Sequence, residues 1–142
     1  MRMIRNPEYF NSFGGDFLPG LLGIKVTKVG DMLLEVELDV RKALLAPNGY
    51  LHGGTVVSVA DTACGYGCIA NLPQGASSFT TIELKTNYLG TAREGVIACE
   101  AKAIHAGRTT QVWDASVFHR GDGNNRLIAT FRCTQMILWP KG

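Results

Sequence analysis

Charge is nearly absent from the middle of this sequence: between His52 and Glu83 the only Asp, Glu, Lys or Arg is Asp61. A carboxylate there has no charged neighbour in sequence to offset its loss of water, and a group so costly to bury is a candidate for function. Other absences narrow the class. The net charge is only +2 and the Lys and Arg residues are scattered, so nothing resembles an electrostatic footprint for nucleic acid. Neither a G-x-S-x-G elbow nor a G-x-x-x-x-G-K-S/T loop occurs, which excludes a serine hydrolase of the usual type and a P-loop enzyme. The N-terminal MRMIRNPEYFNSF has no long apolar core and no small-residue cleavage site, so secretion is not expected and the cytoplasm is. There is no internal repeat, linker or low-complexity segment. At 142 residues the chain fits a single domain spanning 1–142, too short for an α/β-hydrolase or a two-domain dehydrogenase.

What is present centres on Asn48 to Asn71, NGYLHGGTVVSVADTACGYGCIAN. A turn-forming Asn-Gly and a His-Gly-Gly lead into small and apolar residues that read as one buried helix. The apolar run from Gly53 to Leu72 approaches bilayer length, but Asp61, the glycines and the hydroxyls favour a core helix and no membrane span. The four cysteines, without an export signal, read as reduced thiols. Cys64 and Cys68 lie one helical turn apart, yet no second ligand pair with zinc-like spacing accompanies them, so they read as core filler and no metal is expected. Gly65 to Ala70 formally fits a G-x-G-x-x-A dinucleotide fingerprint but falls inside the helix, where that motif has no meaning.

Around this helix the chain changes character repeatedly. Residues 7 to 13 suggest a short helical lead-in ended by Gly14-Gly15, and Pro19-Gly20 marks a loop. GIKVTKVG and MLLEVELDV then read as an antiparallel hairpin, because Leu34, Val36, Leu38 and Val40 alternate with Glu35, Glu37 and Asp39. Leu72-Pro73-Gln74-Gly75 breaks the helix. A meander of strands is expected after it, over Phe79–Leu89, Gly95–His105, Thr109–His119 and Leu127–Leu138, with turns at Gly90–Arg93, Ala106–Arg108 and Gly121–Asn125. A helix apolar nearly all round needs cover on most sides. The expected architecture is α+β, an antiparallel sheet of five or six strands wrapped around one long central helix.

The chemistry is expected at the start of that helix. A first turn beginning near His52 or Gly53 has backbone N–H groups without helical acceptors, and two glycines leave them uncovered for a ligand oxygen. Gly53-Gly54 equally fits simple close packing at a turn. Asp61 lies nine residues beyond His52, roughly 13 Å along the axis and about half a turn round it, so the two cannot serve one carbonyl within one helix. If they share a site, a two-fold dimer must bring one helix start to the middle of another. Asp61 as a buried structural carboxylate, and His52 as a turn histidine that orients the loop, are the plainer alternatives.

NGYLHGGTVVSVADTACGYG followed by TIELKTNYLG resembles the hotdog-fold acyl-CoA thioesterases, specifically the phenylacetate-pathway (PaaI-like) group of the 4-hydroxybenzoyl-CoA thioesterase superfamily. The resemblance implies hydrolysis of an aryl or short- to medium-chain acyl-CoA to free acid and coenzyme A, without any cofactor, in homodimers often paired into tetramers with sites across the dimer interface. It implies Asp61 as general base or nucleophile, the Gly53 amide as oxyanion donor, and His52 as support for the loop or for the carbonyl. It also implies Asn48 as the residue that holds water or carbonyl and Thr81 as a hydroxyl assisting the acid. In that group the Asn lies farther upstream of the His, whereas here only Gly49, Tyr50 and Leu51 intervene. Gly54, Lys85, Arg93, Arg108 and Arg120 are candidates to hold the substrate, the cations through its phosphates. Tyr66, Phe79 and Trp113 are candidates for the acyl pocket. Burial is expected to raise the Asp61 pKa and make it a stronger base. Two rivals stand: a plain acyl-CoA-binding protein, and a hotdog dehydratase or hydratase.

Overall fold

The computed structural model describes residues 5–121 and 123–142. Asp122, in the middle of the expected Gly121–Asn125 turn, and residues 1–4 lie outside them. The elements run α1 (Pro7–Phe13), α2 (Leu18–Leu22), β1 (Lys25–Gly30), β2 (Leu33–Asp39), a 3-10 turn (Lys42–Leu44), α3 (Gly53–Ala70), β3 (Ser78–Tyr88), β4 (Val96–Ala106), β5 (Thr110–Gly121) and β6 (Asn124–Leu138). The six strands form one antiparallel sheet in the order β1-β2-β4-β5-β6-β3, with α3 packed on one face.

Alternation along the strands explains the layering. Leu34, Val36 and Leu38 of β2, Trp113, Ala115 and Val117 of β5, and Phe131 and Cys133 of β6 are buried in one core with α3. Glu35, Glu37, Asp114 and Arg132, between them in sequence, occupy the outer face. The sheet can approach α3 closely because the helix has little side chain there: a Cβ on Gly67 would stand 2.6 Å from the ring of fully buried Trp113. A chain of buried and part-buried polar contacts fixes the far end of the helix. Trp113 Nε1 donates to Gln111 Oε1 at 2.7 Å, Gln111 Nε2 donates to the Asn71 carbonyl at 3.0 Å, and Asn71 Nδ2 donates to the Gly67 carbonyl at 2.8 Å.

Two expectations change. Pro19-Gly20 belongs to the five-residue helix α2, because proline suits a first helical turn; Gly23, at φ 84°, ends it. The strands after α3 are not a simple meander. β3 pairs with β6 at one edge of the sheet, and the 89–95 connection crosses beside the entrance to α3, where the Leu51 N–H donates to the Ala92 carbonyl at 2.8 Å. β4 is thereby delivered to β2, and β4-β5-β6 form the meander.

The two sheet edges are treated differently. Along β1, Asn11 of α1 acts as a substitute strand: its Nδ2 donates to the Val26 carbonyl at 3.1 Å and its Oδ1 accepts from the Val26 N–H at 2.8 Å. The eleven-residue β3 has no such cover among the described residues, and it exposes Ile82 and Leu84.

Candidate active site

His52 caps α3. Its Nδ1 accepts from the Gly54 N–H at 2.7 Å, and its carbonyl accepts from the N–H of Thr55 at 2.9 Å and of Val56 at 3.3 Å. Three of the four first-turn amides are thus engaged. Gly53 N–H is the one left without an acceptor among the described residues, and it belongs to the peptide whose carbonyl accepts twice. A carbonyl so polarised strengthens the donor on its own peptide, and the helix dipole adds to it. Because Nδ1 accepts, the His52 proton resides on Nε2, an assignment made from the hydrogen bond. The exposed imidazole can therefore donate from Nε2 while Nδ1 orients the loop.

Asp61 is partly buried, and its Oδ1 is shut off from solvent without a hydrogen-bond partner. That desolvation raises its pKa above the ordinary carboxylate value. Gly53, Val57, Asp61 and Gly65 form one i,i+4 ridge on α3, and its ends lie against β3: a Cβ on Gly53 would meet Tyr88 and one on Gly65 would meet Phe79. Asp61 therefore sits between these contacts, on the part of the helix that follows the open strand. It lies about 12 Å along the axis and about 80° round from Gly53, so one helix cannot aim both at one carbonyl.

Thr81 faces the helix side of β3 and donates to Oε1 of fully buried Gln135 at 2.6 Å, while Gln135 Nε2 is buried without a partner. A bulge between Thr81 and Glu83 re-phases the strand, so that Thr81 pairs with Gln135 and Leu84 with Cys133, both buried core positions. Asn48 is exposed, with Oδ1 engaged by the Tyr50 N–H at 3.1 Å in an Asx turn that shapes the loop. The Gly54 amide is likewise engaged, by His52.

The candidate cations divide by position. Arg93 lies beside the loop into α3, its guanidinium 5.0 Å from the Tyr50 ring centroid. Arg120 pairs with Glu37 at 2.7 Å on the outer face, and Lys85 is exposed there beside Asp114 and Arg132. Arg108 stacks on Trp139 at 4.5 Å in the β4–β5 turn, next to the Asn71 end of the helix and so far from its start. The four cysteines are free and buried; burial pushes the Cys68 thiol up to about 12 and raises Cys99, while a hydrogen bond with Cys133, and then burial, raises Cys64, so these three stay as inert thiols. Tyr66 and Trp113 belong to the core, and Tyr66 stacks on Phe10.

Sequence reasoning missed two residues at this site. Gln135 carries no local signal, and Tyr88, inside the TIELKTNYLG string, is given no role by it, yet its hydroxyl donates to the Gly53 carbonyl at 2.8 Å.

A six-stranded antiparallel sheet packed against one long central helix is the hotdog arrangement. The chain belongs to the thioesterase superfamily, whose family profile matches residues 48–125. It is 32% identical over 134 residues to a 1,4-dihydroxy-2-naphthoyl-CoA hydrolase of Escherichia coli, covering 92% of this chain and 93% of that protein. A 1,4-dihydroxy-2-naphthoyl-CoA hydrolase of Listeria monocytogenes is 32% identical over 113 residues, 80% of this chain and 89% of that one. Among solved structures, a mutant thioesterase from Pseudomonas aeruginosa superposes with a TM-score of 0.87 at 28% identity, covering 96% of both chains. No helix among the described residues is long and apolar enough to cross a membrane.

Proposed function

We propose that this thioesterase hydrolyses an aromatic acyl-CoA, with Asp61 as general base and the Gly53 amide as oxyanion donor, in sites completed across a homodimer. The carrying observation is the Asp61 carboxylate, whose buried oxygen finds no internal partner while the pKa is raised by desolvation. A purely structural acid would be hydrogen-bonded. Asp61 takes a proton from water as the water oxygen bonds to the thioester carbon. The carbonyl oxygen gains charge against Gly53 N–H, with His52 Nε2–H in support. The C–S bond then breaks, and the proton on Asp61 goes to the departing coenzyme A sulfur. Thr81, held by Gln135, serves as the hydroxyl beside the water.

Spacing and the uncovered β3 edge support the dimer. A two-fold that sets Gly53 against the Asp61 of a second copy passes beside Val57, midway between them on the ridge, and β3 runs along that side of the helix. Arg93, at the helix-start end, is the best placed cation for the coenzyme A phosphates. An aromatic acyl group suits both the phenylacetate-pathway group that the helix motif resembles and the naphthoyl-CoA hydrolases to which the chain is similar. Reduced buried thiols and a coenzyme A substrate fit the cytoplasm. The test is a panel of aryl-, short- and long-chain acyl-CoAs with a thiol-trapping reagent. Thiol release highest with aryl substrates, and reduced by roughly three orders of magnitude in Asp61→Asn, is expected. Tight binding without turnover would instead establish a plain acyl-CoA binder.

A further inference from the structure

Neither Gly53 nor Gly54 has a side chain to restrict its backbone, so the aim of the Gly53 N–H depends on what holds the peptides around it. The peptide before Gly53 is held by its carbonyl, through Thr55 and Val56. The peptide after it is held at both ends: the Gly54 N–H donates to His52 Nδ1 at 2.7 Å, and the Gly53 carbonyl accepts from the Tyr88 hydroxyl at 2.8 Å. Of these restraints only the last comes from outside the loop and helix, from the end of β3. The ring also lies against the glycine, since a Cβ on Gly53 would stand 2.9 Å from the Tyr88 hydroxyl oxygen and 3.1 Å from Cζ.

We propose that Tyr88 is a positioning residue for thioester hydrolysis, its hydroxyl fixing the Gly53–Gly54 peptide and thereby the direction of the Gly53 amide. This rests on the reading of Gly53 as oxyanion donor. An oxyanion site works because its donors are already aimed when charge develops, so a loosened donor weakens the transition state and leaves ground-state binding intact. It also accounts for glycine at position 53: any side chain there displaces the hydroxyl that orients the peptide.

The test is Tyr88→Phe, which keeps the ring and removes the hydroxyl. With the best aryl-CoA, kcat is expected to fall about tenfold while KM stays within about twofold and the acid limb of the pH profile does not move. A loss confined to binding, or no change in kcat, would overturn the proposal. Gly53→Ala supplies a second arm. It should cost most of the same factor in the wild-type background and little more in Tyr88→Phe, because both act on one hydrogen bond; fully multiplicative losses would contradict it. Asp61→Asn is measured alongside. If the wild type turns over and Asp61→Asn does not, the hydrolytic reading stands whatever Tyr88→Phe does; an inert wild type overturns both.

Discussion

If Asp61 is the base, as proposed, it couples stability and activity in opposite senses. Its pKa is raised in the folded protein by desolvation, so the native state holds this proton more tightly than the unfolded chain does. Below the ordinary carboxylate value the burial costs nothing in ionisation; stability falls as pH rises from that value through the raised one. Asp61→Asn is therefore expected to be at least as stable as the wild type at neutral pH and to lose that advantage in acid, as denaturant titrations at the two conditions would reveal. Activity runs the other way. kcat/KM should rise with pH along a limb centred above about 3.9, the ordinary aspartate value, because only the ionised acid is a base. The partial burial of this carboxylate was legible in the sequence, since isolation of a charge within an apolar run is a one-dimensional pattern. The helix start was legible too, and of the two readings of His52 the structure shows the loop-orienting one, its Nδ1 accepting from the Gly54 N–H. Tyr88 and Gln135 were not legible, because their roles depend on a strand register and a bulge that bring β3 and β6 against α3.

The bounds of β3 and β5 were read to within one or two residues, whereas the pairing of β3 and the shortest helix were not read. β5 alternates buried and partly exposed positions along most of its length and was expected where it lies, within one or two residues at each end. β3 is mostly exposed on both faces, so nothing local in it says which strand it joins, and its place beside β6 comes from the crossover instead. The brevity of α2 and its Pro-Gly pair hid it as a loop. The small residues of α3 allow close approach of the sheet, and the contact of Gly67 with Trp113 makes that quantitative. Gly67→Ala must push on a ring with no exposed surface, and a loss of about 1–3 kcal/mol in urea unfolding is expected. A neutral result would mean that the sheet yields more readily than a close-packed core should.

At the scale of the molecule, one edge is closed and the other open. Asn11→Ala removes both bonds to Val26, each worth about 1 kcal/mol, and exposes β1. It should lower stability and promote concentration-dependent association without altering kcat per folded protein. Val57 is only partly buried in the single chain and stands midway on the Gly53–Asp61 ridge. Val57→Glu is expected to shift the protein from dimer to monomer in sedimentation velocity and to abolish hydrolysis with it. An active monomer would separate catalysis from assembly. The central assertion, that the acid of one copy serves the amide of the other, is tested most directly by mixing two inactive proteins. Asp61→Asn and Gly53→Pro each carry a different defect, and proline at a first helical position keeps the helix while removing the N–H. After unfolding and co-refolding in equal amounts, half the dimers are mixed, and each mixed dimer has one intact site if sites are shared, so activity should return to about a quarter of wild type. If acid and amide belonged to the same chain, every site would keep one defect and the mixture would stay inactive.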